Sequence, residues 1–262
     1  MNADWIIPHW PAPAHVRAVF TTRAGGRSRA PYDSLNLGDH VGDDAADVAQ
    51  NRTTLQRQIV ARPVFLKQVH GVQIANFSEL TADGAQADGC LTRASGTACT
   101  IMVADCLPLL LTNRDGDFVA AAHAGWRGLA GAGAGGLGVV EAICQSIESV
   151  ASETKACEIL AWLGPCIGAS KFEVGDEVRA AFVSHHPAAI SMFKPLGHGK
   201  WLADLQGLAR LRLQVLGVFR IFGNDGSSDW CTVSQPSRFF SHRRDHQALG
   251  GSGRMAACVW LD

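Results

Sequence analysis

Two apolar runs joined by a short polar turn, within IMVADCLPLLLTNRDGDFVAAAHAGWRG (residues 101–128), restrict the possible folds of this chain more than any other stretch. Apolar runs of this length that are bounded by turn residues are typical of neighbouring strands. The turn is predicted over residues 113–117, and each run carries one side chain that commonly binds metals, Cys106 or His123. We therefore predict a strand pair that brings Cys106 and His123 together.

A third potential ligand, His70, ends the apolar run PVFLKQVHG, in which a strand is predicted from Pro63 to His70. Catalytic zinc sites usually take three ligands from His, Cys and carboxylate side chains and leave a fourth position open. The sequence thus predicts a metal site formed by His70, Cys106 and His123. Thiolate and imidazole also bind copper, so the ligand types do not choose the metal. The plainer alternative is a core thiol and two histidines that form ordinary hydrogen bonds.

Composition excludes several classes of protein. A chain of 262 residues with 47% hydrophobic and 18% charged residues is long enough for one large globular domain, predicted over residues 1–262. A net charge of −1 without long blocks of either sign disfavours an extended nucleic-acid surface. No apolar run reaches the roughly 18 residues of a membrane-spanning helix.

The first residues and the cysteines suggest a compartment. An acidic residue and prolines stand where a secretory signal needs a basic start and an unbroken apolar core, so we expect a cytoplasmic protein. None of the eight cysteines is spaced as CxxC. Seven of them, all except Cys106, are expected to be buried free thiols.

The order of predicted elements indicates an α+β protein, built as a single mixed α/β domain, because strands and helices alternate without a regular βαβ repeat. A helix is predicted over residues 44–60, capped by Asp43 or Asp44, and another over residues 172–184. Asp88 and Gly89 are predicted to form a turn, and residues 229–254 a polar loop and hairpin. Two GxGxxG matches within residues 131–138 lack the strand context of a dinucleotide site and are better explained by close helix packing.

Polar residues near the predicted ligands suggest further roles. Asp105 precedes Cys106 and could orient a ligating imidazole or transfer a proton. Arg127, in the segment HAGWRG, could hold a phosphate or carboxylate, although a surface salt bridge is the plainer alternative.

Two long polar loops, at residues 21–43 and 229–254, complete the predicted pocket. The default interpretation for each of them is a loop exposed to solvent. If they frame the metal, they form a site for a polar, phosphorylated ligand. The residues predicted to contact substrate or phosphate are Arg23, Asn36, Gln68, Arg127, His242 and Arg244.

Nine ordered motifs from about Arg17 to Leu261 resemble the YfiH-like family, also called the laccase-domain or polyphenol-oxidase-like family, which includes the human protein FAMIN. The motifs are TTRAGG, SLNLG, KQVHG, ADG, ADCLPLLL, AAHAGWRG, GPCIG, FEVGDEV and FFSHRRD. The resemblance implies the YfiH-like fold, with layered sheets and packed helices. It also implies that His70, Cys106 and His123 are the metal ligands. We predict Cys106 and His123, together with the neighbouring Asp105, to be the catalytic residues.

The activity implied by the resemblance is zinc-dependent phosphorolysis of adenosine, inosine, guanosine or methylthioadenosine, together with adenosine deaminase activity. The implied partners are therefore purine nucleosides and inorganic phosphate. A copper-dependent polyphenol oxidase is a second possibility, although the HxH histidine pairs of multicopper oxidases do not occur in the chain. A third is a metal-free hydrolase linked to peptidoglycan precursor editing, with Cys106 as nucleophile and His70 or His123 as base. An interaction protein with a structural metal is the fourth.

Overall fold

A computed structural model describes residues 2–131 and 134–262. The strands are β1 (Val16–Phe20), β2 (Arg62–Phe65), β3 (Ile74–Phe77), β4 (Gly89–Thr92), β5 (Thr97–Val103), β6 (Leu107–Thr112), β7 (Val119–Ala124), β8 (Leu160–Leu163), β9 (Glu173–Gly175), β10 (Phe193–Gly197), β11 (Lys200–Ala203), β12 (Arg220–Gly223) and β13 (Met255–Leu261). The α-helices are α1 (Ala45–Ile59), α2 (Trp126–Ala130), α3 (Val139–Val150), α4 (Asp176–Val183), α5 (Leu205–Val215) and α6 (His242–Leu249). Short 3₁₀ helices span Ala134–Gly136, Ala156–Glu158, Pro187–Met192 and Ser228–Trp230.

The predicted strand pair β6–β7 lies at the centre of a six-stranded sheet with the order β12-β8-β6-β7-β4-β3. The two strands are antiparallel, and Pro108 faces His123 in their register. A four-stranded sheet, β1-β13-β5-β2, packs against this sheet, so β5 and β6 belong to different sheets although they follow each other in the chain.

The strands β6 and β7 are buried on both faces. In β6, Leu109 and Leu111 pack toward the helices α3 and α5, whereas Leu110 packs toward the four-stranded sheet. Each fully buried leucine contributes about 1.5–3 kcal/mol to the free energy of unfolding. Burial on both faces explains why these strands are continuous apolar runs without polar alternation.

Helix α1 covers the outer face of the four-stranded sheet, where Leu55 and Ile59 meet Trp260 of β13. Asp44 is its N-cap, as predicted, and its carboxylate accepts hydrogen bonds from the amides of Ala46 and Asp47. The layers therefore run helix, sheet, sheet, helices. This arrangement confirms the predicted mixed α/β domain of layered sheets and packed helices.

A small antiparallel sheet, β10-β11-β9, stands beside these layers. Glu173–Gly175 form its strand β9, so α4 starts at Asp176 and not at the predicted residue 172. Phe172, which comes directly before β9, lies at the edge of the cavity described below.

Two further predictions were wrong. β2 ends at Phe65, and His70 lies in a loop with a φ of +60°, where a strand cannot continue. The predicted loop and hairpin at residues 229–254 contains helix α6, which Ser241 caps by accepting a hydrogen bond from the Arg244 amide. This helix buries only Asp245 among its residues, so it has no apolar periodicity to find in the sequence.

The glycine-rich segment packs closely against a buried ion pair. Arg212 of α5 is 2% exposed, bonds Glu141 of α3 at 2.8 Å, and donates to the carbonyl oxygens of Ala130 and Gly136. This contact agrees with the helix-packing interpretation of the GxGxxG matches, although Gly133 lies outside the described residues.

All eight cysteines are free thiols, and six of them are buried. Cys157 is exposed, so the prediction of seven buried thiols beside Cys106 was wrong at that position. Within residues 2–131 and 134–262, no helix has both the length and the apolar character needed to cross a bilayer.

Candidate metal centre

The structure brings the three predicted ligands together from three different segments. His70 comes from the β2–β3 loop, Cys106 from the β5–β6 loop and His123 from β7. One potential ligand atom of each residue lies within 4.8 Å of the other two, and Cys106 Sγ is 3.9 Å from His70 Nε2. The two imidazole rings meet edge to face with their centroids 4.7 Å apart.

A fully buried carboxylate, Asp88, positions two of the three ligands. It accepts a hydrogen bond from His123 Nδ1 at 2.8 Å, which leaves Nε2 as the ring nitrogen free for the centre. It also accepts hydrogen bonds from the backbone amides of Val69, His70 and Gly71 at 3.1, 2.8 and 2.7 Å. One side chain therefore fixes both the His123 ring and the turn that presents His70.

The prediction of a turn at Asp88 and Gly89 was wrong. β4 begins at Gly89, and Asp88 points inward beneath the His70 loop. An Asp-Gly pair is typical of exposed turns, and the sequence does not reveal that four donors converge on this carboxylate. The only signal was the ADG motif in the family resemblance.

The electrostatics of the site favour the thiolate form of Cys106. Burial raises the pKa of the Cys106 thiol, but His123 and His70 outweigh burial, so that this pKa lies well below its usual range. Burial lowers the pKa of His123, but Cys106 and Asp88 outweigh it and raise that pKa. Burial raises the pKa of Asp88, and the hydrogen bonds from His123 and the loop amides reverse that effect and lower it. The ionised thiolate is the form that binds metals.

Two glycines of the segment HAGWRG allow this segment to pack closely against the residues around the predicted metal ligands. A Cβ atom on Gly125 would lie 2.9 Å from His70 Cδ2 and 3.1 Å from Cys106 Sγ. A Cβ atom on Gly128 would lie 2.6 Å from the carbonyl oxygen of Gly71. Helix α2 can therefore pack against the His70 loop only because both positions lack a side chain.

The residues fit a zinc or copper ion on the grounds of donor type and spacing. Zinc–sulfur and zinc–nitrogen bonds of about 2.3 and 2.1 Å place tetrahedral ligand atoms roughly 3.5 Å apart, close to the Cys106–His70 separation. One thiolate and two imidazoles also match the preferences of copper. Three ligands with a cavity beside them are typical of a site that keeps one coordination position open.

Asp105, predicted as catalytic, connects the β5–β6 loop, which carries Cys106, to helix α6. Its carboxylate accepts a hydrogen bond from the Thr232 hydroxyl at 2.5 Å and from the backbone amide of Arg243 at 2.6 Å. Asp105 has a φ of +83°, a conformation that is uncommon for residues other than glycine. Both carboxylate oxygens are thus engaged in holding the start of α6 next to Cys106.

A cavity of about 420 Å³ opens beside the three ligands. This volume is within the usual range for small-molecule sites. Apolar side chains, including Trp126, Ile167 and Phe172, line part of it. The polar residues that line it are His40, Gln68, His70, Asp105, Cys106, His123, His242, Arg243 and Arg254.

Two of the six predicted substrate residues, Gln68 and His242, line the cavity. The amide of Gln68 forms two hydrogen bonds of 2.8 Å with the backbone of Met102, so its role in the structure is to join the His70 loop to β5. His242 is exposed at the first residue of α6.

The other four predicted substrate residues do not line the cavity. Arg23 binds Asp33 at 3.1 Å, and Arg244 binds Asp245 at 2.6 Å. Asn36 is fully buried and bonds the backbone around it. The Arg127 guanidinium stacks on the ring of Trp126, 4.5 Å from its centroid. These polar groups find partners within the protein, which sequence spacing does not reveal.

His40 and Arg254 line the cavity and were missed at the sequence level. Each is one of many polar residues in a long polar loop, so no local pattern distinguishes it. They reach the cavity through the pairing of β1 with β13, which brings the two ends of the chain together.

Comparisons with known proteins agree with this architecture. Residues 17–262 match the model of a family described as multi-copper polyphenol oxidoreductase laccase. A purine nucleoside phosphorylase of Pseudomonas aeruginosa is 47% identical over 262 residues, which cover 100% of this chain and 99% of that protein. The purine nucleoside phosphorylase YfiH of Escherichia coli is 44% identical over 259 residues, which cover 98% of both proteins.

A solved structure of the Neisseria meningitidis protein NMB0706 has the same fold. It is 42% identical in sequence, superimposes with a TM-score of 0.87, and the alignment covers 99% of each chain.

Proposed function

Because this chain belongs to the family described as multi-copper polyphenol oxidoreductase laccase, and its relatives at 44–47% identity carry the name purine nucleoside phosphorylase, we propose that it is a metal-dependent purine nucleoside phosphorylase. The substrates proposed are adenosine, inosine, guanosine and methylthioadenosine, with inorganic phosphate as the second substrate. Adenosine deaminase activity at the same site is part of the proposal. The predicted cytoplasmic location suits substrates of this kind.

The observation that carries the proposal is the position of His70, Cys106 and His123 in the wall of one cavity that also has apolar and cationic faces. A nucleoside presents a flat apolar base and a polar sugar, and phosphate presents charge. Trp126 and Phe172 offer aromatic surface for the base. Such a combination of surfaces is needed wherever a purine and an anion react side by side.

In phosphorolysis, a phosphate oxygen forms a bond with C1′ of the ribose while the bond from C1′ to the purine nitrogen breaks. The electron pair of the broken bond leaves with the purine, and a proton neutralises the base. The products are ribose 1-phosphate and the free base. The protein must therefore hold phosphate on one side of the sugar and stabilise the leaving base on the other.

His70, Cys106 and His123 would hold the metal, and we propose zinc in preference to copper. A zinc ion bound there would supply Lewis acidity. Asp88 keeps the ring of His123 in one orientation and one tautomer, which is the usual task of a carboxylate behind a ligating histidine. Asp105 holds helix α6 against the cavity. Of the predicted catalytic residues, Cys106 and His123 would act as ligands of the metal. Asp105 would keep helix α6 in place in the wall of the cavity.

A second candidate function rests on the row formed by Cys106, His123 and Asp88. Potential ligand atoms of Cys106 and His123 lie within 4.8 Å of each other, and Asp88 accepts a hydrogen bond from His123 Nδ1. A thiol with a lowered pKa beside a histidine that is oriented by a carboxylate is also the arrangement of a cysteine hydrolase. In that case, the Cys106 thiolate would attack the carbonyl carbon of an amide, for instance in a peptidoglycan precursor. The C–N bond would break, the amine would leave with a proton from His123, and water would then hydrolyse the thioester to the acid and the free thiol.

One experiment separates the two functions. The purified protein, with its metal content measured, is incubated with each nucleoside in phosphate buffer and in phosphate-free buffer. Chromatography then measures free base, inosine and ribose 1-phosphate. The proposal predicts base release that requires phosphate and is lost with chelator. Activity that survives chelation but is abolished by thiol alkylation would instead support the hydrolase, and no product from any nucleoside would overturn the proposal.

A further inference from the structure

Three basic side chains line the cavity from three separate segments of the chain. His40 belongs to the loop between β1 and α1, His242 is the first residue of α6, and Arg254 directly precedes β13. We call these three residues the cationic rim. They lie in the wall of the same cavity as the metal ligands.

Buried polar groups hold the rim in place. The side-chain oxygen of Asn36 accepts hydrogen bonds from the backbone amides of Gly38 and Arg254, at 2.9 and 2.8 Å. Asn36 therefore joins the loop that carries His40 to the segment that carries Arg254. The Asp105 carboxylate binds the amide of Arg243 and so fixes the residue next to His242.

The charge of the rim is weakly compensated by the protein. Within residues 2–131 and 134–262, neither His242 nor Arg254 belongs to an ion pair. His40 contacts Asp39 at 3.5 Å, and Arg52 binds the same carboxylate oxygen at the shorter distance of 3.2 Å. Burial lowers the pKa of Arg254 although Cys106, Asp105 and Tyr32 oppose this shift, and Asp105 already accepts two hydrogen bonds.

The rim residues also repel one another. Burial lowers the pKa of His40 and of His242, and the charge of Arg254 lowers both further. The two imidazoles are therefore mainly neutral in the empty cavity near pH 7, and an anion bound beside Arg254 would favour their charged forms. The guanidinium of Arg254 donates through Nη1 to the carbonyl oxygens of Ser252 and Gly253, while its Nε and Nη2 atoms have no acceptor in the described part of the chain.

Arg243 also lines the cavity but is a weaker candidate. Its guanidinium donates to the carbonyl oxygen of Glu173 at 3.1 Å and lies over the ring of Phe172. Arg254 has more free donor capacity, and a guanidinium can bind two oxygens of a phosphate at once.

We propose that Arg254, His40 and His242 form the subsite that binds inorganic phosphate. This proposal rests on the proposed phosphorylase function and assigns one of its two substrates to a wall of the cavity. The phosphate group of a nucleotide has the same chemistry as inorganic phosphate. We commit to inorganic phosphate because the nucleosides bring no phosphate group of their own and the second substrate needs a place in the same cavity.

The test compares Arg254→Gln, Arg254→Lys and the double variant His40→Asn/His242→Asn with the wild type. His9→Asn is the matched control, because His9 is also an exposed histidine and does not line the cavity. Phosphate-dependent base release gives KM for phosphate and KM for inosine separately. Isothermal titration calorimetry measures binding of inorganic phosphate and of inosine 5′-monophosphate without turnover.

We expect Arg254→Gln to raise KM for phosphate by about 10- to 100-fold, the loss typical of a charge-assisted hydrogen bond, while KM for inosine changes less than about twofold. Arg254→Lys keeps the charge and should show a smaller increase. If Arg254→Gln fails to fold, the double variant at two exposed positions provides the same test.

The possible results separate the subsite from the function. Phosphate binding that depends on the rim but not on His9 supports the subsite, even if no nucleoside is cleaved and the phosphorylase function fails. Phosphorolysis with an unchanged KM for phosphate in Arg254→Gln and in the double variant overturns the subsite while the function stands. Binding of the nucleotide without binding of inorganic phosphate also overturns it.

Discussion

The metal-ligand wall and the cationic rim face one cavity but are built in different ways. His123 and Asp88 are buried, and Asp88 accepts hydrogen bonds from three amides of the His70 loop and from the His123 ring of β7. His40 and His242 are exposed and come from segments near opposite ends of the chain. The metal-ligand wall therefore depends on the packed core, whereas the cationic rim depends on two long connecting segments. We therefore expect substitutions in the metal-ligand wall to affect metal binding and stability together, and substitutions at the rim to affect phosphate binding with little loss of stability.

The largest effect is expected from Asp88→Asn. The asparagine NH₂ group would face backbone amides, which are donors, so the turn at His70 and the ring of His123 would both lose their fixed positions. Loss of such a carboxylate typically lowers metal affinity or activity about 10- to 100-fold. Competition with a zinc chelator measures the affinity, and Asp83→Asn, at an exposed carboxylate that bonds only the Phe65 amide, is the control.

A smaller but clear effect is expected from Gly125→Ala. Its Cβ atom would approach His70 and Cys106 to 2.9 and 3.1 Å, and overpacking of this kind costs about 1–3 kcal/mol. The matched control is Gly71→Ala, because a Cβ atom there meets nothing closer than 3.5 Å. Thermal unfolding with and without zinc should show that Gly125→Ala loses most of the stabilisation by metal, whereas the control keeps it. Equal behaviour of the two variants would contradict the tight fit of the centre.

The ionisation of Cys106 provides a third test, in the metal-free protein. His123 and His70 lower its pKa from 9.0 to about 6 despite burial. Since the thiolate is the nucleophile, alkylation by iodoacetamide should rise with pH around a midpoint near 6 and should already be fast at neutral pH.

Peptide mass spectrometry distinguishes Cys106 from the buried Cys144, whose pKa burial raises to about 12 and which should react slowly throughout. Added zinc should protect Cys106. A rate that rises only above pH 8 would contradict the lowering of the Cys106 pKa by His123 and His70.

The smallest effect on stability is expected at the rim. His242→Asn changes an exposed residue and should alter the free energy of unfolding by less than about 0.5 kcal/mol. Urea unfolding measures this value. If His242→Asn destabilises the protein as much as Asp88→Asn does, the distinction between a core-built wall and a surface rim is wrong.

The same distinction explains what the sequence could predict. The strands β6 and β7 and the position of Cys106 and His123 followed from apolar runs, because residues buried on both faces leave a continuous pattern. His70 was identified as a ligand although the strand assigned to it ends at Phe65.

Three features could not be read from local patterns. Asp88 looks like a turn residue because its four hydrogen-bond partners are distant in sequence or belong to the backbone. Helix α6 is polar on nearly all sides, so its periodicity is invisible. His40 and Arg254 meet at the cavity only after β1 pairs with β13. In each case the deciding interactions are long-range and polar.

The most direct test of the central claim is metal analysis of the purified wild type and His123→Ala, coupled to measurement of base release from inosine in phosphate buffer. We predict about one zinc ion per wild-type chain and phosphate-dependent release of hypoxanthine. We also predict that His123→Ala loses both the zinc and the product while it remains folded. Wild-type protein that holds stoichiometric zinc and leaves every purine nucleoside intact, or His123→Ala that releases base at the wild-type rate, would contradict the account.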